Sequence, residues 1–187
     1  MTPQRHQPVT LGVLALVLLV ALAGRAGAQG APTVEEVETA YLHKFLGFVD
    51  WPAKSFASDS SPVVVGVAGS DRIYELLSAV ASDRPVHGRP IEVRRLVSPS
   101  SAANLHLVFV GKGAWADLPR WGEAASGNAI LVVTDEPHGI DKGAAMNFVQ
   151  EGTRVRFEVS LAAANQAGLR LSSRLLGVAA RVVGSPP

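Results

Sequence analysis

Apolar positions along the chain fall into two rhythms. Val34, Val37, Tyr41, Phe45 and Phe48 recur every three or four residues, and Leu42, Leu46 and Val49 widen the stripe. That spacing predicts an amphipathic helix from about Val34 to Val49. Thr33 with Glu36 fits a capping box at its start. Trp51-Pro52 ends it, because proline disfavours helical geometry in the residue before it. Further on, short apolar runs alternate with helical patterns. Residues 62–68, 91–97, 105–110 and 128–134 read as strands, three of them continuous enough to be buried on both faces. Ser70 is placed to cap a helix whose buried side is Ile73, Leu76, Leu77 and Val80. One helical turn fits in 98–104, and a helix over 113–125 should break or kink at Pro119.

The period changes to two near the end. Val155, Phe157 and Val159 alternate with Arg154, Arg156 and Glu158, and Met146-Asn147-Phe148-Val149 precedes them across a polar turn with Gly152. This predicts a half-buried hairpin. A small-residue helix then leads through Gly168 into a second helix. Strands alternating with helices, followed by a hairpin, predict an α/β fold. We expect a single layered domain with a mostly parallel mixed sheet, flanking helices and a C-terminal β-hairpin.

The first 28 residues stand apart from this pattern. They carry Arg5 and no acid, an almost unbroken Val/Leu/Ala run from Val9 to Ala23, and the small-x-small triplet Ala26-Gly27-Ala28. The layout predicts a secretory signal peptide over 1–28 and a domain over 29–187, with an apolar run short of the ~20 residues of a typical span. Localisation to the periplasm is the expectation. Loss of that segment leaves 15 basic against 16 acidic residues. A near-neutral surface gives no electrostatic reason to bind nucleic acid. There is no cysteine, which excludes disulfides, thiol catalysis and Cys-based metal sites.

Candidate chemistry is sparse. Gly66-x-x-Gly69 lacks the third glycine of a dinucleotide loop, and Gly111-Lys112-Gly113 is too short for a phosphate loop. No Gly-x-Ser-x-Gly elbow occurs. His138 beside Asp135, Glu136 and Asp141 is the best candidate for metal or acid–base work, although the spacing matches no recognised ligand set. His43 reads as a surface or seam residue of the first helix. The expectation is a protein without enzymatic activity, cofactor or metal.

Several segments together resemble one family. They are AYLHKFLGFVDWP (40–52), VVVGVAGSD (63–71), VHGRPIEVRRL (86–96), LHLVFVG (105–111), ILVVTDEP (130–137), and MNFV followed by VRFEVSLAAANQAGLRLSSRLLGVA (146–179). In order and spacing they are similar to the YfiR-like family of exported proteins. The resemblance implies a periplasmic α/β protein that represses a membrane diguanylate cyclase by holding its periplasmic region, so keeping cyclic-di-GMP low. It also implies relief of repression by an OmpA-like outer-membrane lipoprotein, and a homodimer. The family's redox control does not carry over to a chain without cysteine.

By the same resemblance, the lipoprotein's aromatic anchor would enter an apolar pocket lined by Met146, Leu161, Ala164, Leu171 and Leu176, with Glu158 as polar neighbour. The competing reading of those residues is plain core packing. A second expectation is a periplasmic binder of a small ligand that uses the same pocket near the hairpin.

Overall fold

A computed structural model describes residues 31–184. The expected signal segment therefore lies outside the described residues. Among the described residues, no helix is long and apolar enough to cross a membrane.

Helix α1 (Val34–Leu46) begins with the expected capping box: Thr33 accepts from Glu36 N, and the Glu36 carboxylate accepts from Thr33 N. It ends at Gly47, one turn earlier than the apolar stripe suggests. Val49 instead enters a short strand, β1 (Val49–Asp50). The reason is a tertiary partner: β1 pairs antiparallel with β8 (Arg170–Leu171) in a small two-stranded sheet. Leu42, Phe45 and Leu46 are fully buried, while Val34 and Phe48 at the two ends of the stripe are exposed.

The main sheet has seven strands in the order β3 (Ile91–Leu96), β2 (Val63–Ala68), β4 (Leu107–Val110), β5 (Leu131–Thr134), β6 (Met146–Glu151), β7 (Arg154–Ser160) and β9 (Arg181–Val183). Every neighbouring pair is parallel except the β6–β7 hairpin. β2, β4 and β5 are buried at every residue, as their unbroken apolar sequences require. β3 is an edge strand and mixes charged residues (Glu92, Arg94, Arg95) with apolar ones.

Helix α2 (Asp71–Ala81) starts at Ser70, whose hydroxyl accepts from Ile73 N. It buries Ile73, Leu77 and Ala81, and leaves Leu76 and Val80 half-buried. The helix expected over 113–125 is in two parts. A 3-10 stretch covers Lys112–Asp117, and α3 (Leu118–Ala125) follows with Pro119 in its first turn. Proline lacks only an N–H that would have no helical partner there, so Pro119 opens the helix rather than kinking it.

α1 packs on one face of the sheet. Its Tyr41 and Phe45 meet Phe148 and Phe157, with ring centroids 5.0–6.0 Å apart. Asn147, the next residue along β6 and therefore on the other face, meets Gly139 in the turn before β6, beside which α3 packs. The chain closes with α4 (Leu161–Gln166), capped by Ser160, then β8, α5 (Ser173–Leu176) and β9. The hairpin is thus not the last element, because β9 adds a parallel strand beyond it.

Candidate functional site: an acidic cleft beside the hairpin

In an open α/β sheet, ligands commonly bind beyond the strand ends where the order reverses. Here that point lies between β2 and β4, and it is sealed. Gly69 has φ 72°, and a Cβ there would stand 2.3 Å from Ala114 N and 2.7 Å from Gly111 O. Gly113 N donates to Gly69 O at 2.9 Å. The two glycine turns pack backbone against backbone and leave no cradle for a phosphate.

The open space lies two strands away. β5 pairs with β6 only from Val133↔Met146 to Thr134↔Asn147. β5 stops there, while β6 runs on to Glu151. Beyond the end of β5 this leaves a cleft of about 630 Å³, within the usual size range of small-molecule sites. Phe148 and Val149 of β6 form one wall, and Val34 and Glu38 of α1 another. Trp115, Asp135 and His138 approach from the turns after β4 and β5.

Local bonds fix those turns. Thr134 Oγ1 donates to Val110 O at 2.6 Å and accepts from Glu136 N at 3.2 Å. Lys142 bonds the Glu136 carboxylate and so ties the following loop. Trp115 Nε1 donates to Asp135 Oδ1 at 2.9 Å. His138 adopts a left-handed conformation, φ 61°.

Two carboxyls face this cleft in an unusual state. Glu38 is only 4% exposed and has no hydrogen-bond partner among the described residues. Burial, with the charges of Asp135 and Glu35, pushes its pKa up to about 8. Burial also raises the Asp135 carboxyl, against the Trp115 hydrogen bond that lowers it. Asn147 is 1% exposed, and its Oδ1 has no partner among the described residues. Perturbed acids gathered in a cleft are a mark of functional sites.

The residues expected from the resemblance divide. Glu158 lines the cleft, and it is engaged there: Arg181 Nε donates to its Oε1 at 2.7 Å across the β7–β9 pair. That bond holds the Glu158 carboxyl below its usual range, with burial opposing. Met146, Leu161 and Ala164 are buried in the core, and Leu171 and Leu176 are half-buried against it. None of these five lines the cleft that Glu158 faces.

Of the Asp135/His138/Asp141 group, Asp135 and His138 reach the cleft, and Asp141 is exposed. Among the described residues, no group of three or more His, Cys, Asp or Glu is arranged to hold a metal ion. His43 lies on the helix surface, where its Nε2 pairs with Arg84 O.

Sequence reasoning passed over Glu38, Trp115, Asn147 and Arg181. Glu38 carried a readable signal: it stands four residues after Val34 and four before Leu42, on the apolar side of α1. The others had none, because their meeting depends on where β5 ends.

The family model described as YfiR/HmsC-like matches residues 35–180. Comparison with curated proteins finds no match. The match begins at the second residue of α1, runs through every strand up to β8, and stops just before β9. The chain belongs to the YfiR/HmsC-like family.

Proposed function

We propose that this protein is a non-enzymatic periplasmic regulator that binds the periplasmic region of a membrane diguanylate cyclase and lowers its cyclic-di-GMP output. Family membership supports a regulatory role in the periplasm. The observation that carries the contact reading is the C-terminal segment. It leaves Val178 59% and Val182 39% exposed, and Ser172 N binds it to Phe48 O, beside a third exposed apolar side chain. Leu171 and Leu176 stand half-buried in the same segment. Exposed apolar side chains of this kind suit anchors on a protein partner.

The mechanism is population shift. Binding the low-output conformation of the cyclase lowers signalling by as much as the difference in affinity between its two conformations. The test is co-purification with the cyclase together with cyclic-di-GMP levels in a deletion strain. We expect a complex in the first and a rise in the second. Val178→Asp should abolish the complex and leave the fold intact. A deletion that leaves cyclic-di-GMP unchanged, with no cyclase recovered, overturns the reading.

The cleft beside β6 favours a second reading, in which the protein binds a small ligand. Its size and its buried polar groups are the supporting observations.

A further inference from the structure

The cleft has a chemical polarity that narrows what it can take. Two carboxyls line it and act on one another's charge: Glu38, which makes no side-chain hydrogen bond among the described residues, and Asp135, which has one oxygen held by Trp115. Its remaining wall is apolar, from Val34, Trp115, Phe148 and Val155. Lys112 and Arg181 stand at its margin. A buried carboxyl without a partner costs stability unless a cation or donor meets it. An ammonium group supplies both charge and three donors.

We propose that this cleft binds a small organic monoamine, its ammonium group held between the Glu38 and Asp135 carboxylates and its apolar body against Trp115 and Phe148. The inference rests on the small-ligand reading and names the ligand's chemistry. A second ammonium on the ligand is disfavoured, because the far end would meet Lys112 or Arg181. The amine enters as the cation, and Glu38 releases its proton to solvent as the ion pair forms.

Binding is therefore linked to pH. The groups facing Glu38 are Glu35 on its own helix and Asp135 from the turn after β5. Lys112, His138 and the Glu158–Arg181 pair complete the charged surroundings of the cleft. The two carboxylates oppose ionisation of Glu38, and the arriving ammonium offsets them.

The experiment compares butylamine, butanol and putrescine with the purified full protein, by thermal shift and titration calorimetry. Butylamine should raise Tm and bind about tenfold tighter near pH 9 than near pH 7, as an acid of pKa about 8 goes from roughly a tenth to nine-tenths ionised. Calorimetry in buffers of different ionisation heat should report close to one proton released at neutral pH. Putrescine should bind more weakly, and butanol should give no shift.

Glu38→Gln, which keeps the shape of the protonated acid, should fold normally and lose the butylamine shift. Asp135→Asn should weaken it, and provides the test if the first variant fails to fold. Equal shifts from butylamine and butanol would leave the small-ligand reading standing and overturn the ammonium site. Equal stabilisation by sodium or magnesium chloride would overturn it in favour of an inorganic cation. No butylamine binding at either pH would overturn this proposal.

Discussion

Glu38 and His106 are buried titratable groups that pull stability in opposite directions with pH. His106 is 3% exposed; its Nδ1 accepts from Val64 N at 3.0 Å, so its Nε2 donates to Ser55 O at 3.1 Å. Burial first, and Arg89 with it, lower its pKa, while the Ser55 bond opposes. The unfolded chain thus binds its proton more readily, and stability from His106 is lost as pH falls below about 6.5. Glu38 has the reverse sign. Its folded pKa is raised from 4.5 to about 8, so the folded state holds a proton the unfolded chain has released. Stability falls as pH rises through that window and levels off above it.

Between about pH 6.5 and 8 only the Glu38 slope remains of the two, with an upper limit of about 1.4 kcal/mol per pH unit. Chemical denaturation across that range should show the wild type losing stability and Glu38→Gln holding nearly flat. A wild-type profile as flat as the variant's would mean Glu38 is ionised in the folded protein. Neither residue declares this in the sequence. His106 sits inside an apolar run and reads as a strand residue. Glu38 reads as one more helix-surface acid until its register with Leu42 is considered.

At the level of elements, most local signals were legible, because the physics that sets them is local. The capping box at Thr33, the Ser70 cap and the period-two hairpin each satisfy their backbone within a few residues. β1, β8 and β9 were not legible. Two of them have two residues and the third has three, and each is a strand only because a distant partner pairs with it.

The glycine turns show how an element can carry a veto. Gly66-x-x-Gly69 resembled the start of a nucleotide loop, yet Gly66 lies inside β2 against Leu96 and Leu105, and Gly69 packs on the Gly111–Gly113 turn rather than admitting a ligand. Gly69→Ala would place a methyl against Ala114 N and Gly111 O, at a positive φ that alanine adopts poorly. Backbone cannot yield as a side-chain tip can. The expected loss is about 3 kcal/mol or more by denaturant unfolding. Gly88→Ala, with nothing within 4 Å of the added methyl, should cost about 1 kcal/mol, the conformational term alone. Equal losses in the two variants would refute the sealed switch point.

Over the whole molecule, the alternation of strand and helix identified the α/β class and the mixed sheet. What it could not give is the depth of each pairing. β2 and β3 share a six-residue register and so do β6 and β7, but β5 and β6 share only Val133↔Met146 and Thr134↔Asn147. The sheet is thus two well-bonded leaves joined at a short seam. Side chains bridge it, with Phe109 and Phe148 6.3 Å apart and Phe45 stacked on Phe148. Native-state hydrogen exchange should therefore find the amides of β6, β7 and β9 opening together, at lower free energy than those of β2 and β4. A single opening free energy across all seven strands would contradict this.

The same short seam has a consequence for how the protein could be divided. All strands of the first leaf come from 63–134, and all of the second from 146–183, so order along the chain and order across the sheet coincide at that boundary. A cut in the loop between Thr134 and Met146 severs one connection and unthreads nothing. The two fragments would meet through two short ladders, β5–β6 and β1–β8, and an aromatic interface. This makes the protein a natural candidate for fragment complementation, in which each leaf is supplied on its own and the fold returns only when both are present.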